Sequence, residues 1–323
     1  MNEIGALLSE VRMATLGVSQ IDRGVDFYRQ ALDYRCLERG VVDPALAPLW
    51  QFEATDELEY AIVAADESGL GRIRLVAGKV PGQAIWRKAD RLTASGAYAL
   101  NFRCQDIHRQ LERIRSHGGQ TGEQPHFWEV NDQVHVYDSM SADPDGTQLD
   151  LFSYARGGEL RGPLSTPVSV IQTVALAVAD VATSRRFYEA MGFQELFDRV
   201  LDFDGLAEML GIDQPVRIHN VNLMKDGQVV PGRVEMFAYL DTGMGRPEPV
   251  TDRAVPPNNG LLSFSLLTTD ANTVVETLQA LGAHGIHRLD SVPLPGFGIV
   301  PLTVLLGPDG ERLELIEVEE IAR

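Results

Sequence analysis

Two glutamates and a histidine, each on an expected strand, are the side chains of this sequence best placed to do chemistry. Glu314 falls in a strand expected over residues 312–318, where Leu313 and Leu315 alternate with Arg312 and Glu314. Alternation sends the two sets to opposite faces of a sheet, so with the leucines on the core Glu314 faces whatever lies on the other side. Glu235 lies on a strand expected over residues 232–239 and shares a face with Phe237. His219 lies on the strand expected over residues 217–224, next to that of Glu235. Two carboxylates close together in a half-dry site cannot both ionise easily, so one pKa rises and that group becomes a general acid or base. Carboxylates joined by an imidazole are also a ligand set for Fe, Mn, Zn or Ni. The ordinary alternative for His219 is a strand histidine bonded to a backbone carbonyl.

The elements that would position these side chains recur along the chain. Phe27-Tyr28 matches Phe187-Tyr188 at an offset of 160 residues. The turn Asp143-Pro144-Asp145-Gly146 matches Gly307-Pro308-Asp309-Gly310 at an offset of 164, and Asp106, which opens a helix, matches Asp270 at the same offset. Landmarks in one order at nearly one offset mark an internal repeat. The expected division is an N-terminal domain, 1–156, a Gly- and Pro-rich linker, 157–167, and a C-terminal domain, 168–323, carrying the site. Each copy repeats again. Val174, Leu176 and Val178 alternate with Thr173, Ala175 and Ala177 before a helix opened by Asp180, and Leu262, Phe264 and Leu266 alternate with Ser263 and Ser265 before the helix opened by Asp270. Four modules of strand, helix and further strands are expected to begin near residues 10, 96, 170 and 260. Residues 285–306, with Pro293, Pro295, Gly296 and Gly298, read as loop-rich, and residues 43–53, with Trp50, as a loop or short helix.

Composition narrows the function classes. A chain of 323 residues with 44% hydrophobic and 23% charged residues is an ordinary globular protein of about two domains. A net charge of −18 argues against a nucleic-acid partner, because phosphate binding needs a basic footprint. No apolar run reaches the length of a membrane span and no signal peptide is read, so no membrane partner and a cytoplasmic location are expected. Cys36 and Cys104 are too few for a disulfide framework and read as packed thiols. The sequence has no His-x-x-x-His or Cys-x-x-Cys zinc spacing, no Gly-x-Ser-x-Gly elbow and no P-loop.

The run 174–180 (VALAVAD), followed by Phe187-Tyr188 and Met191-Gly192-Phe193, and the closing run 308–315 (PDGERLEL) resemble the vicinal oxygen chelate superfamily. That group includes glyoxalase, extradiol dioxygenases and bleomycin-resistance proteins. The resemblance implies an α+β fold of two tandem domains, each of paired βαβββ modules forming an open cup-shaped mixed sheet. It also implies one divalent metal in the cup, held from the first and last strands of the modules. On the positions carried over, the first strands supply Met13, Ala99, Thr173 and Ser263, and the last strands Arg74, Asp150, Glu235 and Glu314. Both carboxylates are kept in the second half and both imidazoles are missing, so the metal site is expected to be atypical or absent; the resemblance makes Glu314 and Glu235 the candidate catalytic residues and, where a metal is bound, Glu314, Glu235 and His219 its candidate ligands. Thr173, Ser263, Ser265, His219, Phe237 and Phe297 are the candidate substrate-binding residues. In the first half, Arg74, Arg103 and Asp150 fall on the cup face with Asn101, and a buried Arg–Asp cluster filling that cup is expected, with capture of an anionic ligand group as the alternative. The expected activity is that of an enzyme acting on a small aromatic or polyoxygenated molecule, as a monomer or homodimer. The alternatives are a non-catalytic binding protein of the bleomycin-resistance type and a divalent-metal-dependent dioxygenase, isomerase or lyase. Ring-cleaving extradiol chemistry is disfavoured, because Thr173 and Ser263 stand where its histidines belong.

Overall fold

The computed structural model describes residues 3–158, 162–227 and 229–321, so residues 159–161 of the expected linker lie outside the described residues. Module one comprises β1 (Leu8–Gly17), α1 (Ile21–Leu32), β2 (Arg35–Val41), α2 (Ala47–Trp50), β3 (Leu58–Ala64) and β4 (Arg72–Gly78). Module two comprises β5 (Ala94–Arg103), α3 (Ile107–Ser116), β6 (Gln120–Thr121), β7 (His126–Asn131), β8 (Val134–Ala142) and β9 (Gln148–Arg156). Module three comprises β10 (Thr173–Ala177), α4 (Val181–Ala190), β11 (Phe193–Leu201), α5 (Leu206–Met209), β12 (Arg217–Lys225) and β13 (Arg233–Leu240). After a short β14 (Glu248–Pro249), module four comprises β15 (Gly260–Thr268), α6 (Ala271–Gln279), β16 (His284–Leu294), β17 (Gly298–Leu306) and β18 (Arg312–Glu317). The stretch read as loop-rich is thus the β16–β17 hairpin, whose prolines and glycines occupy its tip and one strand end. No helix among the described residues is long and apolar enough to cross a membrane.

The helices start where the aspartates are. Asp106, Asp180 and Asp270 each accept a hydrogen bond from the backbone N–H three residues on, which satisfies one of the open donors of the first turn. In α1 the buried residues Ile21, Val25, Tyr28 and Leu32 recur at helical spacing. They join Leu16, Phe102, Tyr188 and Phe264 in one continuous core that takes in α1, α3, α4 and α6 and one face of each of two sheets.

The chain has the α+β, glyoxalase-like architecture, but its modules pair across the two halves. One sheet runs β16-β17-β18-β15-β1-β4-β3-β2 and joins modules four and one. The other runs β11-β12-β13-β10-β5-β9-β8-β6 and joins modules three and two. In each sheet the first strands of two modules meet antiparallel, Ala14 opposite Phe264 and Val174 opposite Leu100. The free face of each sheet is a cup. Cup one therefore belongs to modules one and four, and cup two to modules two and three.

The helix layer ties together the modules that follow one another in sequence. The Tyr28 hydroxyl of module one donates to Asp143 of module two at 3.1 Å. The Tyr188 hydroxyl of module three donates to Glu311 of module four at 2.7 Å, and Ser184 donates to Asp309. Both repeats of the Pro-Asp-Gly turn are thus buried acid latches. Burial, with the charge of Asp309 beside it, outweighs the Tyr188 hydrogen bond and pushes Glu311 from 4.5 up to about 8. Burial also pushes Asp143 up to about 6. A carboxyl whose pKa is raised by folding binds more protons in the native state than in the unfolded one. Its stabilisation is complete below the unfolded value and fades as pH rises through the folded one. Between about pH 4.5 and 8 the protein is expected to lose on the order of a few kcal/mol through Glu311. Urea unfolding at pH 5 and pH 8 checks this: Glu311→Gln should lose clearly less between the two than the parent does, and equal losses would remove Glu311 from the account.

Candidate functional site

Cup one is closed. Its inner face carries Thr15, Arg74, Ser263, Ser265 and Glu314, which alternate with Leu16, Leu75, Phe264 and Leu315 on the core face. Arg74 and Glu314 both have no exposed surface and form an ion pair, Nη1 to Oε2 at 2.9 Å. Ser265 donates to Glu314 Oε2 at 2.6 Å and Ser263 to Oε1 at 3.2 Å. Arg74 also donates to Thr15 Oγ1 at 3.0 Å and to the Pro295 carbonyl at 3.2 Å, with its guanidinium 5.2 Å from the centre of the Trp50 ring. Burial alone would raise the pKa of Glu314, but Arg74 and the two serines outweigh it and the net shift is downward.

Two insertions plug this cup. The segment around α2 contributes Leu46, Leu49, Trp50 and Phe52, and the β16–β17 hairpin contributes Leu294 with Phe297 packed against them. The hairpin tip can enter because residue 296 is glycine: its φ is +85°, and a Cβ there would lie 3.1 Å from Met13 Cε.

Cup two is open. Its strands surround a cavity of about 420 Å³ whose floor carries Asn101, Asp138, Asp150, Asn220, Asn222 and Glu235. Glu235 accepts three amide hydrogen bonds, from Asn220 at 2.6 Å and from Asn101 and Asn222 at 3.0 Å each. The amides turn their N–H groups to Glu235, and their three Oδ1 atoms are buried without a partner. Burial raises the pKa of Glu235 against the opposing hydrogen bonds of Asn220 and Asn222. Asp150 is raised well above the carboxylate range, first by burial, then by the charge of Asp138 and a hydrogen bond to it. Oδ1 of Asp138 and Oδ1 of Asp150 are both buried without a hydrogen-bond donor. Asp138 Oδ2 accepts the Trp128 indole N–H at 3.0 Å. Aromatic side chains make much of the wall: Tyr98 meets Phe237 edge to face at 5.5 Å, and Trp128 stacks parallel to Phe203 at 6.1 Å across the junction of modules two and three.

The sequence-predicted residues divide between these places. Glu235, Thr173 and Phe237 line cup two. Glu314, Ser263 and Ser265 form the sealed network of cup one, and Phe297 belongs to its plug. The expectation that Glu235 and Glu314 share a cup is corrected, because the modules carrying them belong to different sheets. The expected Arg74–Asp150 cluster is corrected for the same reason: Arg74 pairs with Glu314, while Asp150 lies beside Asp138. Arg103 donates to the Gly162 carbonyl and covers the Tyr154 ring. His219 lies between Ile218 and Asn220, which line the cavity, so it turns to the opposite face of β12 and bonds Asp198 at 2.7 Å. The proposed ligand set Glu314, Glu235 and His219 is therefore scattered. The asparagines 220 and 222 and the Asp138–Trp128 pair were missed. Alternation with Val221 and Leu223, which face the core, would have placed both asparagines on the cup face.

The divalent metal usual in the resembling family does not fit either cup. In cup two its positions fall on Ala99, Asp150, Thr173 and Glu235, with no imidazole, and both oxygens of Glu235 are engaged by amide N–H groups. In cup one the Arg74 guanidinium contacts the carboxylate that would ligate it. Among the described residues, no three His, Cys, Asp or Glu side chains group as metal ligands.

Comparison with known proteins agrees with this fold. Residues 11–151 match the sequence model of the Glyoxalase/Bleomycin resistance protein/Dioxygenase superfamily. Glyoxalase I from Zea mays superposes with a TM-score of 0.61 at 19% identity, covering 95% of this chain and 92% of its own. A point mutant of the same maize enzyme gives 0.63 at 18%, covering 95% and 92%. A putative dioxygenase from Bacillus subtilis subsp. subtilis str. 168 gives 0.56 at 12%, covering 96% and 86%. No curated protein matches the chain in sequence. The chain has the glyoxalase-like fold along its length, and residues 11–151 match the sequence model of the Glyoxalase/Bleomycin resistance protein/Dioxygenase superfamily.

Proposed function

We propose that cup two binds a small organic molecule and moves a proton on it, as an isomerase or lyase, using the Asp138–Asp150 pair. What carries this reading is the placing of two carboxyls, Asp138 and Asp150, together on the floor of an aromatic-walled cavity, where burial and the charge of Asp138 raise the pKa of Asp150. Such a pair has one acidic proton and one free basic site. It can accept a proton from one position of a ligand and return its own to another, ending in the state in which it began. Glu235 holds the three asparagine amides in place on the cavity floor, where their unpartnered oxygens are the acceptors left for a ligand. The saturation of Glu235 by three donors favours a second reading, a pocket that sequesters its ligand unchanged.

Ligands selected from a panel of aromatic metabolites by thermal shift, incubated with the protein in heavy water and analysed by mass spectrometry, separate the two. Proton transfer predicts deuterium on ligand carbon at a rate set by protein concentration. A ligand that binds and returns unlabelled and unchanged would support sequestration and sink the enzymatic reading.

A further inference from the structure

The floor of cup two is rich in acceptors and poor in donors. Five acids, Asp138, Asp150, Glu195, Asp198 and Glu235, line the cavity against two arginines, Arg199 and Arg233. Arg185, reaching in from α4, binds Glu195 and Asp198 at the rim. The floor keeps Asp138, Asp150 and Glu235 against Arg233, so even with one proton shared by the aspartates it carries one surplus negative charge. A buried surplus charge is costly until a counter-charge arrives. Three further acceptors add to it. Asn101, Asn220 and Asn222 are 5%, 3% and 4% exposed, line the cavity, and each has an unpartnered Oδ1.

An ammonium group answers both needs. It carries one positive charge and three N–H donors and has no lone pair to clash with these oxygens. An alcohol brings one donor and no charge, and a carboxylate would add a negative charge to a floor that already has an excess. The walls suit the rest of such a ligand. Trp128 and Phe203 lie parallel within 6° with centroids 6.1 Å apart. Aromatic faces also attract cations. Asp138 fixes the Trp128 ring through its indole N–H, which joins the wall to the charged floor.

We propose that cup two takes a flat aromatic ligand carrying a protonated amine, with the ring on the Trp128 wall and the ammonium among Glu235, Asp138 and the three asparagine oxygens. This rests on the reading of cup two as a ligand site. Equilibrium dialysis of the full chain against tryptamine, tryptophol and indole-3-acetate, which share a ring and differ in charge, tests it. Tryptamine should bind at least tenfold more tightly than tryptophol, with indole-3-acetate weakest. Glu235→Gln should erase the tenfold preference of tryptamine over tryptophol, and Asp138→Asn serves where that variant fails to fold. Trp128→Ala should weaken tryptamine and tryptophol alike. Tryptophol or indole-3-acetate binding as tightly as tryptamine overturns the charge assignment and leaves the ligand site standing. Failure of all three to bind overturns the assignment of an aromatic amine, while the ligand-site reading is overturned only where the thermal-shift panel also yields no ligand.

Discussion

Replacing Arg74 by methionine, with Glu314 left in place, is expected to destabilise the protein by about 3–5 kcal/mol, because it strands a fully buried carboxylate with only two serine donors. Glu314 would then take up a proton. In the parent its pKa is held below 4.5, so the stabilisation it contributes is present above that value and lost as pH falls through its folded pKa. In the variant the pKa lies above 4.5 instead, and the gap between the two proteins should narrow in acid. The double variant Arg74→Met/Glu314→Leu should recover most of the loss, since a well-packed apolar pair of similar volume often replaces a buried ion pair at no cost. Urea denaturation of the parent, both single variants and the double variant closes the cycle. A single Arg74→Met variant within about 1 kcal/mol of the parent would show the pair to be dispensable.

That result bears on why one fold holds two such different cups. In cup one a guanidinium and a carboxylate neutralise each other, and Trp50 and the hairpin tip exclude water from both. In cup two the corresponding last-strand positions are both acidic, Asp150 and Glu235, and they line a cavity together with Arg233 and the aromatic wall. The charge balance separates a packed cup from one that keeps a cavity of about 420 Å³.

The modules were legible because their landmarks are local. A helix-opening aspartate, a Phe-Tyr pair at the core face of a helix and a Pro-Asp-Gly turn each follow from short-range chemistry, and each is where the sequence placed it. The choice of partner module was not legible. Each module offers an apolar, alternating first strand, Ala14 and Leu16 in one and Val174 and Leu176 in another, and any of these can pair antiparallel with any other. Alternation correctly turned Arg74, Asp150, Glu235 and Glu314 to cup faces, but which of them meet depends on pairing between strands up to 240 residues apart. Asn220 and Asn222 were overlooked for another reason. An asparagine on a strand announces no chemistry until a buried carboxylate is seen to use its amide.

The largest functional effect is expected at Asp150. Asp150→Asn keeps the shape of the side chain, and its amide N–H can still donate to Asp138, so the floor should stay in place and ligand should bind within a few-fold of the parent. The transferable proton is gone. Turnover should fall about 10²–10⁴-fold, the usual contribution of a positioned acid or base. Asp138→Asn should cost a similar factor, and the double variant little more than either alone, because two groups sharing one proton act as a unit. The pH profile provides the independent check. Burial and Asp138 hold the Asp150 proton well above the ordinary carboxylate range, so parent activity should persist through mild acid and decline on the alkaline side, as the pair loses that proton. In Asp150→Asn the residual activity should lack this alkaline limb. If Asp150→Asn instead turns over within about threefold of the parent, the pair only braces Trp128 and the chemistry of cup two must be sought in Glu235 and its amides.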